Sequence, residues 1–427
     1  MVSADPSKDG EHPSNVSIAD WRDRLSRLAW DCGVISLIVM PIAMVPSRGI
    51  APTCLAVTLS FFGIAAVLAG DLVPLLRSWL AQCRYPISLI AFAFLGYQSV
   101  TLMWTPAPWR GAQLLLHIAL VVLCMVDGIG ALKVRRNPAR VGTKALSLCL
   151  AAAAILVFVE VHFGSPLRSL FTDSLEPFRL NRAAIGIALL LPFAVFPLMR
   201  SGQLFLAFAL VCLCVIAIFR SDSESAKLAV MMMAVVAGAQ LLSERFARHA
   251  LAAAIILTLL TIPLIAPHVN ALFPAEIHDL VGHGAMYQRG LIWAAFADLV
   301  PNALWFGHGL EASFAANEAL APNIPPELRS PLANDHPHNA ALQLWFELGL
   351  VGVAFVLAAL LLLFNLLGRI HRSLRDPLVL FIAAAWAVTF VSHGAWQAWW
   401  WCLVGGVALY AFSSGLSRSQ TDTSMGQ

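Results

Sequence analysis

The stretch NDHPHNAALQLWFELGLVG, Asn334 to Gly352, opens an apolar run that continues to residue 366 with no Lys or Arg inside it. Roughly 20 such residues carry a helix across a bilayer, so the run reads as a membrane span. The rest of the chain agrees. Of 427 residues, 59% are hydrophobic and 12% charged, and the mean hydropathy is +0.78. A soluble domain carries about twice that share of charge. Comparable runs lie near 30–47, 50–70, 86–104, 111–131, 144–163, 183–200, 203–219, 226–243, 249–267, 340–366, 378–393 and 396–413. The expected fold class is therefore all-α, a polytopic membrane protein of about twelve spans.

The loops divide by charge. Dense Arg and Lys in KVRRNPAR (133–140), SERFARH (243–249) and GRIHRSLRD (368–376) fall on one side if the spans alternate. The positive-inside rule makes that side cytoplasmic, with both termini. The expected layout is a cytoplasmic segment 1–28, spans over 29–267, an outer loop over 268–338, three more spans over 339–413 and a tail 414–427. Residues 1–28 are polar, without the apolar stretch of a signal peptide. Within them IADWRDRLSRLAW (18–30) reads as an interfacial helix entering the first span. The outer loop is the exception to short connections, and so is a functional candidate. AMYQRGLIWAAFADLV (285–300) has helical apolar spacing, and Trp305, Phe306 and Phe314 argue that the loop is ordered.

The opening stretch also carries chemistry. Pro337 suits a first helical turn, which would put His338 and Asn339 at the amino end of the tenth span. A helix start offers unpaired N–H groups and a partial positive charge that favour phosphate and keep an imidazole neutral. Asn339, Gln343 and Glu347 recur at four-residue steps on one face. Gly349 and Gly352 would admit a second backbone just below. Polar groups at membrane depth are costly unless used, so this stripe should face the bundle interior.

These residues resemble a known family. His338-Asn339, nine residues, then Gly349-x-x-Gly352 is similar to the carboxyl-terminal signature of the O-antigen ligase and polymerase superfamily of bacterial membrane glycosyltransferases. RGLIW (289–293) followed by PNALWFGHGL (301–310) resembles the same family's arginine helix and Gly-x-Gly turn. LMWTPAPWRGA (102–112) and RLNRAAIGIAL (179–189) are fainter echoes of its early segments. The resemblance implies a GT-C-like fold in the bacterial inner membrane with a periplasmic active site. It implies a metal-independent, inverting transfer of a glycan from undecaprenyl pyrophosphate to an acceptor hydroxyl. The acceptor is lipid A–core for a ligase and a second lipid-linked glycan for a polymerase. No cofactor is implied. The family's essential histidine maps on His338 and its loop arginine on Arg289. Its Ser-Arg-Gly tripeptide is missing from FRSDSESAKLAV (219–230), which leaves Arg220 or Lys227 to supply the second cation.

The chemistry agrees: a departing diphosphate gains charge that guanidinium answers with paired hydrogen bonds, and an acceptor hydroxyl needs a base near neutral pKa. Further candidates for holding substrate are Arg182, Asn339, His336 and Glu347. Arg179 reads as an interfacial anchor, and Trp396, Trp399, Trp400 and Trp401 as an aromatic belt at the membrane surface.

Other classes fit less well. Six histidines (His268, His278, His283, His308, His336 and His338) belong to the outer loop, and His336-x-His338 could chelate zinc, but no HExxH or carboxylate pair accompanies them. A lipid transporter would place charges at mid-depth on broken helices, often in inverted repeats; here the polar groups gather at one face. Eight cysteines without a CxxC pair indicate no disulfide framework. A net charge of +3 spread over loops argues against nucleic acid. The partners that the resemblance implies are lipid-linked glycans and membrane lipids.

Overall fold

A computed structural model describes residues 18–134, 142–173, 175–272, 285–320 and 329–424. In chain order the first helices are α1 (Ile18–Ala43), α2 (Ala51–Ala69), α3 (Leu72–Cys83), α4 (Pro86–Thr101) and α5 (Pro108–Val134). Next come α6 (Thr143–His162), α7 (Asn181–Arg200), α8 (Leu204–Arg220), α9 (Glu224–Leu242) and α10 (Glu244–Ile265). The four-residue α11 (Val269–Leu272) and α12 (Ala285–Leu299) belong to the outer loop, and α13 (Ala340–Leu367), α14 (Arg372–Val391) and α15 (Ala398–Ser424) close the chain. Among the described residues nine helices are long and apolar enough to cross a membrane, and α4, α8 and the Ala398–Ser413 part of α15 are shorter apolar helices. Together they occupy the twelve expected positions, so the all-α polytopic class holds. α12 falls where AMYQRGLIWAAFADLV predicts a helix.

Two local expectations change. α1 is one unbroken helix from Ile18, so the anticipated interfacial segment is continuous with the first span. α3 was not anticipated; it packs beside α5, where Ser78 Oγ donates to the Gly130 carbonyl at 3.2 Å and Lys133 Nζ donates to Gln82 Oε1 at 3.1 Å.

Side chains at the helix ends distinguish the two faces. At one, Arg375 pairs with Glu244 at 2.5 Å and Arg200 donates to the Ser373 carbonyl at 2.7 Å, tying α7, α10 and α14 together. At the other, Arg182 donates to the Arg48 carbonyl at 3.1 Å, Ser223 Oγ to the Asn181 carbonyl at 3.4 Å, and Arg110 pairs with Glu311 at 2.5 Å. The outer loop joins this second face. Two apolar cores fill the bundle. One surrounds α7, whose Ala183–Ala194 stretch is wholly buried; the other is built by α10, α12 and α13.

α13 is broken at Gly349, whose φ of 59° and ψ of −161° lie in a region essentially restricted to glycine. The break frees backbone groups at a depth of about 13 Å from the helix start, given 1.5 Å per residue. Unpaired groups there must find protein partners, and residues 304–309 of the loop supply them. Leu350 N donates to Leu304 O at 2.9 Å and Val351 N to Trp305 O at 3.2 Å. In return His308 N donates to Phe346 O at 2.9 Å and Gly309 N to Glu347 O at 2.8 Å. Tyr97 Oη, 2.9 Å from Phe306 O and 2.8 Å from Leu348 O, shares its proton between loop and helix. The loop is thus a re-entrant segment. Its order comes from this backbone pairing rather than from burial of Trp305 and Phe306, which are exposed.

Two expectations about this helix are corrected. Pro337 lies outside the first turn, because Asn339 is the cap and Ala340 the first helical residue. Gly349 does admit a second backbone, since a Cβ there would press on Trp305, Phe306 and Gly307, but a Cβ on Gly352 would meet only Leu348 of the same helix. Gly349→Ala is expected to expose the outer loop to limited proteolysis and lower the detergent-solubilised Tm, because strain of about 1–3 kcal/mol adds to that backbone clash. An unchanged Tm and an uncut loop would contradict the account of the break.

Candidate functional site

The site forms where α13 begins. Asn339 caps the helix, its Oδ1 accepting from Leu342 N at 3.0 Å, while its buried Nδ2 has no partner. This fixed cap leaves His338 just outside the helix in a left-handed conformation, φ 54°. Only Ser165, Glu311 and His338 do this among the described non-glycine residues, and two of the three border the site. Backbone strain of this sort tends to cluster where function requires it.

The two histidines touch with rings tilted by 44° and centroids 4.3 Å apart, but their nitrogens are used differently. His338 Nδ1 faces the Ser392 carbonyl at 3.4 Å. A carbonyl only accepts, so Nδ1 carries the proton and Nε2 keeps a lone pair. His336 Nε2 lies 3.3 Å from Gln397 Nε2. The Gln397 amide is oriented by Trp399 Nε1, which donates to its Oε1 at 2.7 Å, so the amide N–H points at His336 and occupies its lone pair. Of the two imidazoles, His338 is the one with a free basic nitrogen. Burial, then the Arg289 guanidinium, hold its pKa below the ordinary 6.5. The expectation of a neutral imidazole thus rests on burial more than on the helix field. Burial, then His338 and Arg110, push His336 down to about 4.

Arg289 lies within charge range of His338, and both Arg182 and Arg289 within charge range of the neighbouring His393. Burial lowers the Arg289 pKa, and its nearest charge effect comes from Glu224 on α9, which pairs with Lys227 at 2.8 Å. Arg182 lies over the Trp399 ring, 4.4 Å from its centroid. His393, in the turn between α14 and α15, marks the convergence: burial pushes its pKa to about 3, followed by the charges of Arg182, His336, His338 and Arg289. Arg220 stands apart, exposed at the end of α8 and with no ion pair to these groups among the described residues. Arg179 pairs with Glu176 at 3.1 Å.

His336 also lines a polar cavity of about 350 Å³, together with Arg110, Gln113, Glu311, Asp335 and Gln397 among others. It meets an apolar groove of about 400 Å³ between α4, α5 and α15 at two shared residues, His117 and Trp396. Glu347 is fully buried outside the lining and holds three residues that form it. One carboxylate oxygen accepts from Ser313 Oγ and from Gln343 Nε2 at 2.8 Å; the other accepts from Glu311 N at 2.9 Å and Trp396 Nε1 at 2.7 Å. Gln343 Oε1 accepts from Ala395 N at 2.7 Å. The stripe Asn339–Gln343–Glu347 therefore faces inward, and Glu347 is saturated by protein donors. It is a positioning residue rather than one that touches a ligand.

The tryptophan belt is also corrected. Trp396, Trp399 and Trp400 are buried, because their neighbours inside the bundle offer the indole N–H of Trp396 and of Trp399 an acceptor; only Trp401 is substantially exposed. His393, Arg110 and Glu311 were not singled out from sequence, and no local spacing signals them. His117, an exposed imidazole within the α5 span, is the exception: an ionisable residue inside an apolar helix is itself a flag. His308 serves packing, its Nε2 3.0 Å from the Leu299 carbonyl and its ring over Phe346. Among the described residues no three His, Cys, Asp or Glu side chains converge as metal ligands; His278 and His283 lie outside those residues.

Residues 206–357 match the family model described as O-antigen ligase, a range that holds Arg220, Lys227, Arg289 and His338. The chain is similar to two curated proteins named "Putative polysaccharide ligase". One is from Rickettsia conorii, 24% identical over 61% of this chain; the other is from Rickettsia felis, 25% identical over 61%. The match spans 65% of each relative's length, just under two thirds. These findings bear out the resemblance seen around His338.

Glu347→Gln is expected to destabilise the loop, since its amide would set an N–H against two existing donors. Leaving a buried donor unsatisfied costs about 1–3 kcal/mol. The Tm should fall and protease access between residues 300 and 320 should rise; wild-type behaviour in both would contradict the role given to Glu347.

Proposed function

We propose that this protein transfers a glycan from undecaprenyl pyrophosphate to an acceptor hydroxyl, and that it is of the O-antigen ligase type, with lipid A–core as acceptor. The observation that carries this reading is the free Nε2 of His338 within charge range of Arg289, at one rim of the bundle and inside the family-matched range. The basic end, with Arg200, Arg372 and Arg375, is cytoplasmic by the positive-inside rule. The site then opens to the periplasm of the bacterial inner membrane. The relatives' name favours ligase over polymerase.

The reaction follows from the residues. His338 Nε2 takes the proton of the acceptor hydroxyl. The oxygen attacks the anomeric carbon from the face opposite the diphosphate, and the bond between that carbon and the phosphate oxygen breaks, inverting the configuration. Undecaprenyl pyrophosphate leaves with the electron pair, and its added charge is met by Arg289 and Lys227. No metal is assigned a step. Between the two candidates for the second cation, Lys227 is favoured, because Glu224 links it to Arg289. Arg182, near His393, is placed to hold the glycan beside the histidines.

His338→Ala should cut transfer by purified protein at least about 10²-fold, the lower range for a general base, and Arg289→Ala should do likewise, with both variants still inserting in the membrane. Near-normal transfer by His338→Ala would remove the base assignment. The pH profile should show the sign of the shift. A base whose pKa is lowered loses activity only when pH falls through that lowered value, so transfer should stay flat above pH 6.5 and decline below it. A decline already complete at pH 7 would contradict a depressed His338.

A further inference from the structure

We propose that the cavity lined by Arg110, Gln113, Glu311 and Asp335 binds the uncharged sugar end of the acceptor, and that the diphosphate of the donor lies outside it, against Arg289 and Lys227. This rests on the transfer reading above and adds where each substrate lies.

The charges decide it. The ionisable side chains lining the cavity are Arg110, His117, Glu311, Asp335 and His336; burial holds His336 neutral, and Arg110 is already paired with Glu311 at 2.5 Å. Asp335 is exposed to the cavity beside them. A doubly charged diphosphate would meet the Asp335 carboxylate there. Arg289 and Lys227, by contrast, set two cations against one carboxylate, Glu224. Diphosphate belongs with the surplus of positive charge.

The cavity suits a saccharide by its chemistry as well. Carboxylates accept from paired hydroxyls, amides of Gln113 and Gln397 both donate and accept, and the Trp396 ring supplies an apolar wall. Arg110, between Glu311 and the Phe314 ring 3.8 Å away, is a further donor to oxygens. His336 lines the cavity and touches His338.

The test is the double variant Gln113→Leu/Asp335→Ala, both residues exposed and outside the buried core. Full-length protein in nanodiscs is assayed for transfer from undecaprenyl-pyrophosphate glycan and, separately, for binding of lipid A–core without donor. The acceptor KM and the lipid A–core Kd should each rise at least about tenfold, the loss expected for removing hydrogen bonds to a charged group. The donor KM and kcat should stay within about twofold. A diphosphate in the cavity gives the opposite sign: removing Asp335 would lower the donor KM and leave lipid A–core binding unchanged. Either that result or an unmoved acceptor KM overturns the assignment while leaving the transfer reading intact. Wild-type protein that binds lipid A–core through these residues but transfers no glycan would sink the transfer reading and keep the cavity.

Discussion

The break of α13 at Gly349 is the constraint from which the site follows. A straight helix would pair its own backbone and leave the outer loop on the surface. The broken one presents carbonyls at Phe346 and Glu347 and N–H groups at Leu350 and Val351, and residues 304–309 descend into the bundle to pair with them. That descent carries Glu311 and Ser313 to the Glu347 carboxylate, which also holds Trp396 from the start of α15. Three segments far apart in sequence are thereby fixed around one buried carboxyl group. The cavity wall and the histidine pair inherit their positions from it.

Electrostatics then give the site its character. His336 and His338 are both held neutral, chiefly by burial. Lys227 on α9 and Arg289 on α12 supply cations, while the cavity that His336 lines offers carboxylates and amides. The amide of Gln397, pinned by Trp399, is what distinguishes the roles of the two histidines.

Much of this was legible in the sequence, and the reasons are physical. Span positions follow from the length and hydropathy of apolar runs, which tertiary packing does not alter. The Asn339–Gln343–Glu347 face follows from helical periodicity, and Arg289 and His338 from the resemblance to a known family. What escaped depends on contacts across the chain. Nothing near Gly349 announces that it would break the helix rather than pack against another one. Arg110 and Glu311 lie 201 residues apart, and Trp396 and Glu347 lie 49 apart, so neither pairing has a local pattern. The tryptophans looked like a surface belt because clustered indoles usually sit at the interface; here the buried acceptors drew them inward.

The most direct test of the central claim is a cryo-EM structure of the full chain in nanodiscs with undecaprenyl pyrophosphate bound. The account predicts diphosphate density against Arg289 and Lys227, with His338 Nε2 unobstructed and the sugar cavity empty. Diphosphate density against Arg110 and Asp335, or at the Arg200–Arg375 end of the bundle, would contradict it.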